Sequence, residues 1–476
     1  METLKNKHFV AGVFIFLVLV LAVFFHFEIH FENALTNLPE ADYGVHISTW
    51  RYIFEPILGP LLFYNRSINP LTELPLALLW LCVLYVLISI IRVYKYRNDR
   101  KEALLKKLAN IPLVLGIGFS IFVVILFIPL PNNSIVNNSE NSVLVTTHAH
   151  TEYSHDGLIS QKAMWKWHRR NGFDAFFITD HANHKKSLQI SKLQKNGGLD
   201  IAPLILVGQE HSGTNHMSLL GLNGKFDTKG MADKAVVDSV HKYGGAVFVN
   251  HWFDLKGKEK EYYRQLGVDG FEIENVGNEL YYDREIYKKL KKYCLENNLI
   301  MVGGLDFHGY GRACSLYNAL EIPDWKSLEV EEKEQSILNI LKNGPQRKIK
   351  VLMYRDRDFY TNKNWVIRPF FTFINYFRTL NFIQVFSWFF WVAIFQFCRK
   401  QLKVEILNHD NSIVILTGLC VIFLWLLSGV FYFKGEADKG YSEVYTEYFL
   451  ILVTVGGILT GFVLFLGHKR FFKKAI

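Results

Sequence analysis

Six stretches of about 20 apolar residues, three towards each end of the chain, limit what it can fold into. They are Phe9–Phe27, Pro75–Val93, Ile111–Leu130, Phe377–Phe397, Ile413–Phe433 and Phe449–Gly467. A run of that length crosses the hydrocarbon of a bilayer as a helix, because a helix satisfies its own backbone groups there. The fourth is interrupted at its start by Arg378 and Asn381. The first has Lys5 and Lys7 ahead of it, like a secretory signal. His26, Glu28 and His30 follow it where small residues would mark cleavage, so it reads as a retained anchor. Three regions follow: 1–141 with about three transmembrane helices, 142–358 with globular composition, and 359–476 with about three more.

The net charge of +9 suggests nucleic-acid affinity only until its placement is read. Lys5 and Lys7, the 92–107 loop, the 399–403 loop and the tail with Lys469, Arg470, Lys473 and Lys474 are all basic, whereas the alternate loops are acidic or mixed. Positive charge marks the cytoplasmic ends of membrane helices. The bilayer, not nucleic acid, is therefore the expected partner, with both termini cytoplasmic and the middle outside. Five cysteines without CxxC spacing indicate neither a zinc ribbon nor a disulfide framework.

The middle alternates short β-rich runs with amphipathic helical stretches. Strands are expected at Val143–Thr147, Ala175–Thr179, Leu204–Gly208, His216–Gly221, Ala246–Asn250, Gly270–Glu274 and Ile300–Gly303. Helices are expected near Ser160–Arg170, Ala232–Tyr243 and Tyr282–Asn297. Strand-then-helix units imply an α/β fold with a parallel sheet, closed into a barrel.

Metal-type side chains cluster at the ends of these runs: His148, His150, Asp156, His181, Glu210, His216, His251, Asp306 and His308. Imidazole nitrogen and carboxylate oxygen are donors for Zn²⁺, Mn²⁺ or Fe²⁺. Nine candidates exceed the needs of one tetrahedral ion, so two or three divalent ions are expected. In a β/α barrel the loops past the strand ends meet at one face, which would bring these distant positions together. His155, His168, His184 and His241 carry no supporting pattern and are expected at the surface. Glu272 and Glu274 alternate on one strand, and one of them could face the ions.

Thr147-His148-Ala149-His150-Thr151 with Ser154-His155-Asp156-Gly157, Thr179-Asp180-His181, Gly208-Gln209-Glu210, His251 and Asp306-Phe307-His308 resemble the PHP family, the polymerase and histidinol phosphatase domain. The resemblance covers about residues 143–320 and implies a distorted β/α barrel, flanked here by transmembrane helices, that binds up to three divalent ions and hydrolyses phosphate esters. It implies that His148, His150, Glu210 and Asp306 hold the first ions. Asp156 and His181 would serve a second with Glu210 shared, and His216, His251 and His308 would complete the set. His211 competes with His216 for its place. His251-Trp252 and Gly304-Leu305-Asp306 depart from the family's His-Pro and Gly-Ser-Asp.

The expected chemistry is phosphoester hydrolysis by metal-activated water. His308 or His251 is the candidate proton donor, and Arg312 could clamp a phosphate oxygen. A domain outside the cytoplasm points to a lipid-linked, glycan or nutrient phosphoester. Aromatic stretches near Trp50–Tyr64 and Phe370–Phe390 suit the bilayer interface and favour the first. Two rivals remain. One is an amide hydrolase using the same ions; the other is a receptor or transporter, which would be expected to carry more charge in its spans.

Overall fold

The computed structural model describes residues 2–65, 70–96, 100–130, 132–181, 183–275, 284–311, 315–358, 364, 366–401, 409–437 and 442–468. Their strands are β1 (His30–Asn33), β2 (Leu38–Pro39), β3 (Tyr43–His46) and β4 (Ser134–Asn137), then β5 (Ser142–Thr146), β6 (Ala175–Ile178), β7 (Leu204–Ser212), β8 (His216–Leu220), β9 (Ala246–Val249), β10 (Gly270–Asn275), β11 (Ile300–Gly304), β12 (Leu316–Glu321) and β13 (Ile349–Arg355). Eleven form one sheet in the order β11-β10-β9-β8-β7-β6-β5-β12-β13-β1-β2. The fold is mixed α/β around this large sheet.

The expected strands and helices of the middle are present with boundaries shifted by a few residues. Ser160 caps the helix Gln161–Arg170 by accepting from Ala163 N, and Asn171-Gly172 ends it with Gly172 at φ +79°. The sheet is not purely parallel, however. A turn of only three residues joins β7 to β8, too short for a crossover, so β8 runs antiparallel to β7 and β9. β12, β13, β1 and β2 add further antiparallel pairs at the other side of β5.

Beyond their ends β5 and β11 meet. Ala149 bridges Phe307 in parallel, with Asp306 N donating to His148 O at 3.0 Å and His150 N to Phe307 O at 2.8 Å. This curls β5 to β11 into a distorted barrel. Alternate residues feed two cores: Leu144, Phe176, Ile178, Ile205 and Val207 pack in one, and Val143, Val145, Phe177, Leu204 and Leu206 in the other. Both faces of the central strands are thus buried, which explains their near-continuous apolar runs.

Among the described residues, three helices are long and apolar enough to cross a membrane: Glu73–Lys95, Asn411–Ala437 and Val444–Gly467. Of the other expected spans, Ala11–Phe24 and Ile111–Phe127 are shorter apolar helices, and the fourth is broken. Arg368–Arg378 and Phe382–Cys398 meet at a bend of 108°. Asn381 causes the break by capping the second helix: its side chain accepts from Gln384 N at 3.0 Å, and the Gln384 side chain accepts from Asn381 N at 3.1 Å.

β1 comes from ahead of the globular middle, yet Phe31 on it is fully buried, edge-on to Tyr317 and Tyr354 at 5.8 and 5.6 Å. Phe31→Ala should therefore cost about 3–5 kcal/mol. The check is a thermal or denaturant midpoint for the sheet domain in detergent; an unchanged midpoint would mean that β1 is dispensable.

Candidate metal centre

The candidate ligands converge on one end of the barrel. His148 and His150 follow β5, His181 follows β6, His251 follows β9, and Asp306 and His308 follow β11. Glu210 lies inside β7, and His216 begins β8; because β8 runs backwards, its first residue comes to the same end.

Glu210 is the hub. Its Oε2 lies 3.2 Å from His148 Nε2, 3.1 Å from His150 Nε2 and 3.2 Å from His181 Nε2. Its Oε1 lies 3.1 Å from His216 Nδ1 and 3.5 Å from His251 Nε2, and accepts from Asn250 Nδ2 at 2.7 Å. Asp306 Oδ1 forms a second node, 3.3 Å from His148 Nε2, 3.5 Å from His150 Nε2 and 2.9 Å from His308 Nε2. Asp156 Oδ2 completes the set at 3.5 Å from His181 Nε2 and 3.4 Å from His308 Nδ1.

This arrangement fits cations. Donors held about 2.0–2.2 Å from one ion stand roughly 3–3.5 Å apart. The two Nε2 atoms of His148 and His150 face each other at 2.9 Å with carboxylate oxygens around them, as ligands of a common ion would. Four overlapping groups of three ligands occur: His148/His150/Glu210, His150/Asp306/His308, His150/Asp156/His181 and His181/Glu210/His216. His251 joins through Glu210. All nine expected ligands thus meet, whereas Arg312 lies outside the described residues.

Local backbone explains the placement. His251 and Asp306 both have left-handed backbone, φ +29° and +49°, strain of the kind that collects at functional sites. A Cβ at Gly157 would collide with the Thr151 carbonyl, and one at Gly304 with the Glu272 carboxylate, so both glycines are needed for close approach. Asp180 accepts from Thr151 N at 2.6 Å and Thr151 Oγ1 at 2.8 Å, and Ser154 Oγ donates to Asp156 at 2.7 Å, which ties down the turn bearing Asp156.

Outer partners orient the imidazoles. His148 Nδ1 pairs with Glu272 Oε1 at 2.8 Å, and Glu272 Oε2 accepts from His251 N at 3.1 Å. Asp254 sits 3.1 Å from His251 Nδ1, and Ser212 Oγ 3.1 Å from His181 Nδ1. Such contacts fix the ring and raise its basicity as a ligand. Of the two strand carboxylates, Glu272 belongs to the site, and Glu274 pairs instead with Arg284. Asn250 and Asp254 carried no motif signal; only their position beside His251 pointed to them. His211 turns away to Asp233, at 3.4 Å, which leaves His216 in place. His168 and His184, expected at the surface, are buried: the first stacks on Phe176, and the second meets Gln209 at 3.1 Å. Trp252 and Leu305, the departures from the family pattern, are also buried, and the Trp252 indole N–H donates to Lys258 O at 2.9 Å.

Charge is strongly coupled here. Burial alone would push the His150 imidazole down, but Asp156, Asp306 and Glu210 outweigh it and hold it up at about 10. Burial likewise opposes charge on His251, and Asp254, Glu210 and Asp306 raise it to about 10. Burial works against ionised Glu210 and Asp306, yet the imidazoles hold both far below the usual carboxylate range. His181 goes the other way, lowered chiefly by its burial.

No family model and no curated protein matches the chain. Solved structures similar to it include a candidate metal-dependent phosphoesterase from Bifidobacterium adolescentis, 17% identical over 35% of this chain and 88% of the other, TM-score 0.29. A two-domain protein from Bacteroides vulgatus, described as containing a PHP-like metal-dependent phosphoesterase, is 19% identical over 48% and 69%, TM-score 0.32. An amidohydrolase from Chromobacterium violaceum is 12% identical over 40% and 96%, TM-score 0.29. Likeness at this level transfers no activity. The residues that carry the resemblance to the PHP family are those that the fold brings together at one barrel end.

Two outcomes follow. Glu272→Gln should weaken metal binding about 10- to 100-fold, measured by competition with a chelating dye. Between about pH 7.5 and 10 the metal-free domain should lose stability as pH rises. In that window His181 is neutral whether folded or unfolded, and the carboxylates stay ionised, so the raised imidazoles His150 and His251 decide the sign by losing protons that folding had secured. Metal needs those same imidazoles deprotonated, so added Mn²⁺ or Zn²⁺ should raise the midpoint more at pH 9 than at pH 6. Thermal midpoints with and without metal check both.

Proposed function

We propose that the protein is a membrane-anchored, metal-dependent phosphoesterase holding two or three divalent ions, Mn²⁺, Zn²⁺ or Fe²⁺. The observation that carries this reading is the central Glu210 carboxylate, with one oxygen shared among three imidazoles and the other between two more. A carboxylate so placed would serve as a ligand common to more than one ion. Bound ions supply Lewis-acid charge at the phosphoryl oxygens and lower the pKa of water to about 7.

The chain's own residues divide the remaining tasks. His148, His150, Asp156, His181, Glu210, His216, Asp306 and His308 hold the ions, with Glu272 and Asn250 fixing His148 and Glu210. His251 is oriented by Asp254 so that Nε2 points inward, which suits it either as a ligand or as the proton donor to the leaving oxygen; His308 is the second candidate donor. Arg312, four residues beyond His308, is assigned to the substrate phosphate. His216, with its side chain 39% exposed, is the most exposed of the nine ligands.

The membrane arrangement belongs to the same proposal: the metal domain outside the cytoplasm and both termini inside. It is supported by the ends of Ile111–Phe127, Asn411–Ala437 and Val444–Gly467 that meet the metal domain, which are opposite to the ends flanked by basic residues.

The test is phosphate release by the full chain in detergent with Mn²⁺ or Zn²⁺, over aryl, sugar, nucleotide and polyprenyl phosphates, with N-acyl amides as a control panel. Turnover should require metal and fall to background in a His148→Ala/His150→Ala variant. Metal-dependent amide cleavage without phosphate release would refute the phosphoester reading.

A further inference from the structure

We infer that the substrate is a lipid carrying the phosphate ester, with its hydrocarbon chain seated in a cavity between the metal domain and the membrane helices. This rests on the phosphoesterase reading above and names its substrate class.

The cavity measures about 920 Å³, near the upper end of ligand-pocket sizes. Trp167 and Phe307 of the metal domain form one wall; Phe54, Leu58, Leu126 and Leu130 form the other. Leu126 and Leu130 stand at the domain-facing end of the apolar helix Ile111–Phe127, and beside them Phe54 ends the short helix Thr49–Ile53 and Leu58 lies in Glu55–Asn65. Lys434, near the end of Asn411–Ala437, and Tyr445, at the start of Val444–Gly467, also line it.

At its other end the cavity abuts the metal centre: none of the nine ligands lines it, but the Tyr310 ring in its wall stands 6.3 Å from the His308 ring. The wall residues Phe307, Gly309, Tyr310 and Gly311 belong to the segment that carries Asp306 and His308. Gly311 N donates to Leu126 O at 3.1 Å, and Leu158 N to His308 O at 2.8 Å, so one continuous surface joins helix end, cavity wall and ligand. A chain lying in the cavity with its head group past Tyr310 would bring the phosphate to the His308 side of the site.

Charge agrees with a phosphate-bearing occupant. Arg170 and Lys434 line the cavity and no carboxylate does among the described residues. Arg170 has no carboxylate partner among them either. Further contacts clamp this mouth to the membrane hairpin: Lys434 Nζ meets Glu152 Oε2 at 3.0 Å, Ser442 Oγ donates to Gly157 O at 2.7 Å, and Glu443 N donates to His155 O at 2.8 Å. All three fall on the turn that bears Asp156. A soluble phosphoester would have no use for an apolar chamber placed there, whereas each buried methylene of a lipid chain gains about 0.8 kcal/mol, roughly fourfold in affinity.

The experiment places the full chain in phosphatidylcholine nanodiscs and photolabels it with phosphatidic acid bearing a photoactivatable acyl chain, beside the matching phosphatidylcholine probe. Labelled residues are mapped by mass spectrometry. Phosphatidic acid should label Leu126, Leu130 and Trp167 about tenfold above phosphatidylcholine, a difference of about 1.4 kcal/mol. Hexadecyl phosphate should compete and glycerol 3-phosphate should not. Ala163→Trp and Leu130→Trp, which fill the cavity, should each reduce the labelling, with metal content and thermal midpoint reporting that the variants fold.

Equal labelling by both probes, labelling confined to the outward helix faces, or equal competition by glycerol 3-phosphate overturns the inference. Aryl phosphate turnover with no selective cavity labelling leaves the phosphoesterase reading intact and removes the lipid. Selective labelling with no turnover of any phosphate ester does the reverse.

Discussion

Everything at the barrel end depends on a carboxylate that water cannot reach. Glu210 is almost wholly buried, and so are His148 and His150 beside it. Removing such charges from water costs several kcal/mol per ion unless opposite charge surrounds them. Five imidazoles and the Asn250 amide do so here, held by four different stretches of chain. The site is therefore a consequence of the closed sheet, and the sheet's geometry at that end is held in turn by the site. The strained backbone of His251 and Asp306 is the visible cost of bringing these donors together.

The membrane helices are part of this arrangement. Lys434, Ser442 and Glu443 touch the turn that carries Asp156, and the end of Ile111–Phe127 bonds to the loop after His308. Two ligand-bearing loops thus rest on membrane-derived elements. These contacts fix the orientation of the barrel end relative to the long apolar helices. The buried Arg51–Glu55 pair, with Tyr376 donating to Glu55 at 2.8 Å, stiffens the short helices below the cavity in a similar way.

Much of this was legible in the residues. A His-x-His at a strand end needs only extended backbone to place two imidazoles on one side, so it can be read without knowing the fold. Glu272 could not be read in that way. Its importance arises because β10 lies beside β11 and Gly304 leaves room for its carboxylate. Equally, a carboxylate alternating on a strand has the same pattern whether it meets a ligand, as Glu272 does, or an arginine, as Glu274 does. The buried His168 and His184 escaped notice because a lone histidine on an amphipathic stretch carries no sign of which way it faces.

The sequence by itself determined the apolar flanks, the strand and helix order of the middle and the nine His, Asp and Glu side chains that meet at the barrel end, because hydrophobic period and short-range motif are local properties. Tertiary structure decided the rest. It chose His216 over His211 through the antiparallel reversal of β8, broke the fourth span at the Asn381 cap, and drew β1 from beyond the globular middle into the sheet. It also set a cavity between the helix ends and the last ligand loop. Those outcomes rest on contacts between residues far apart in the chain, which no window along it contains.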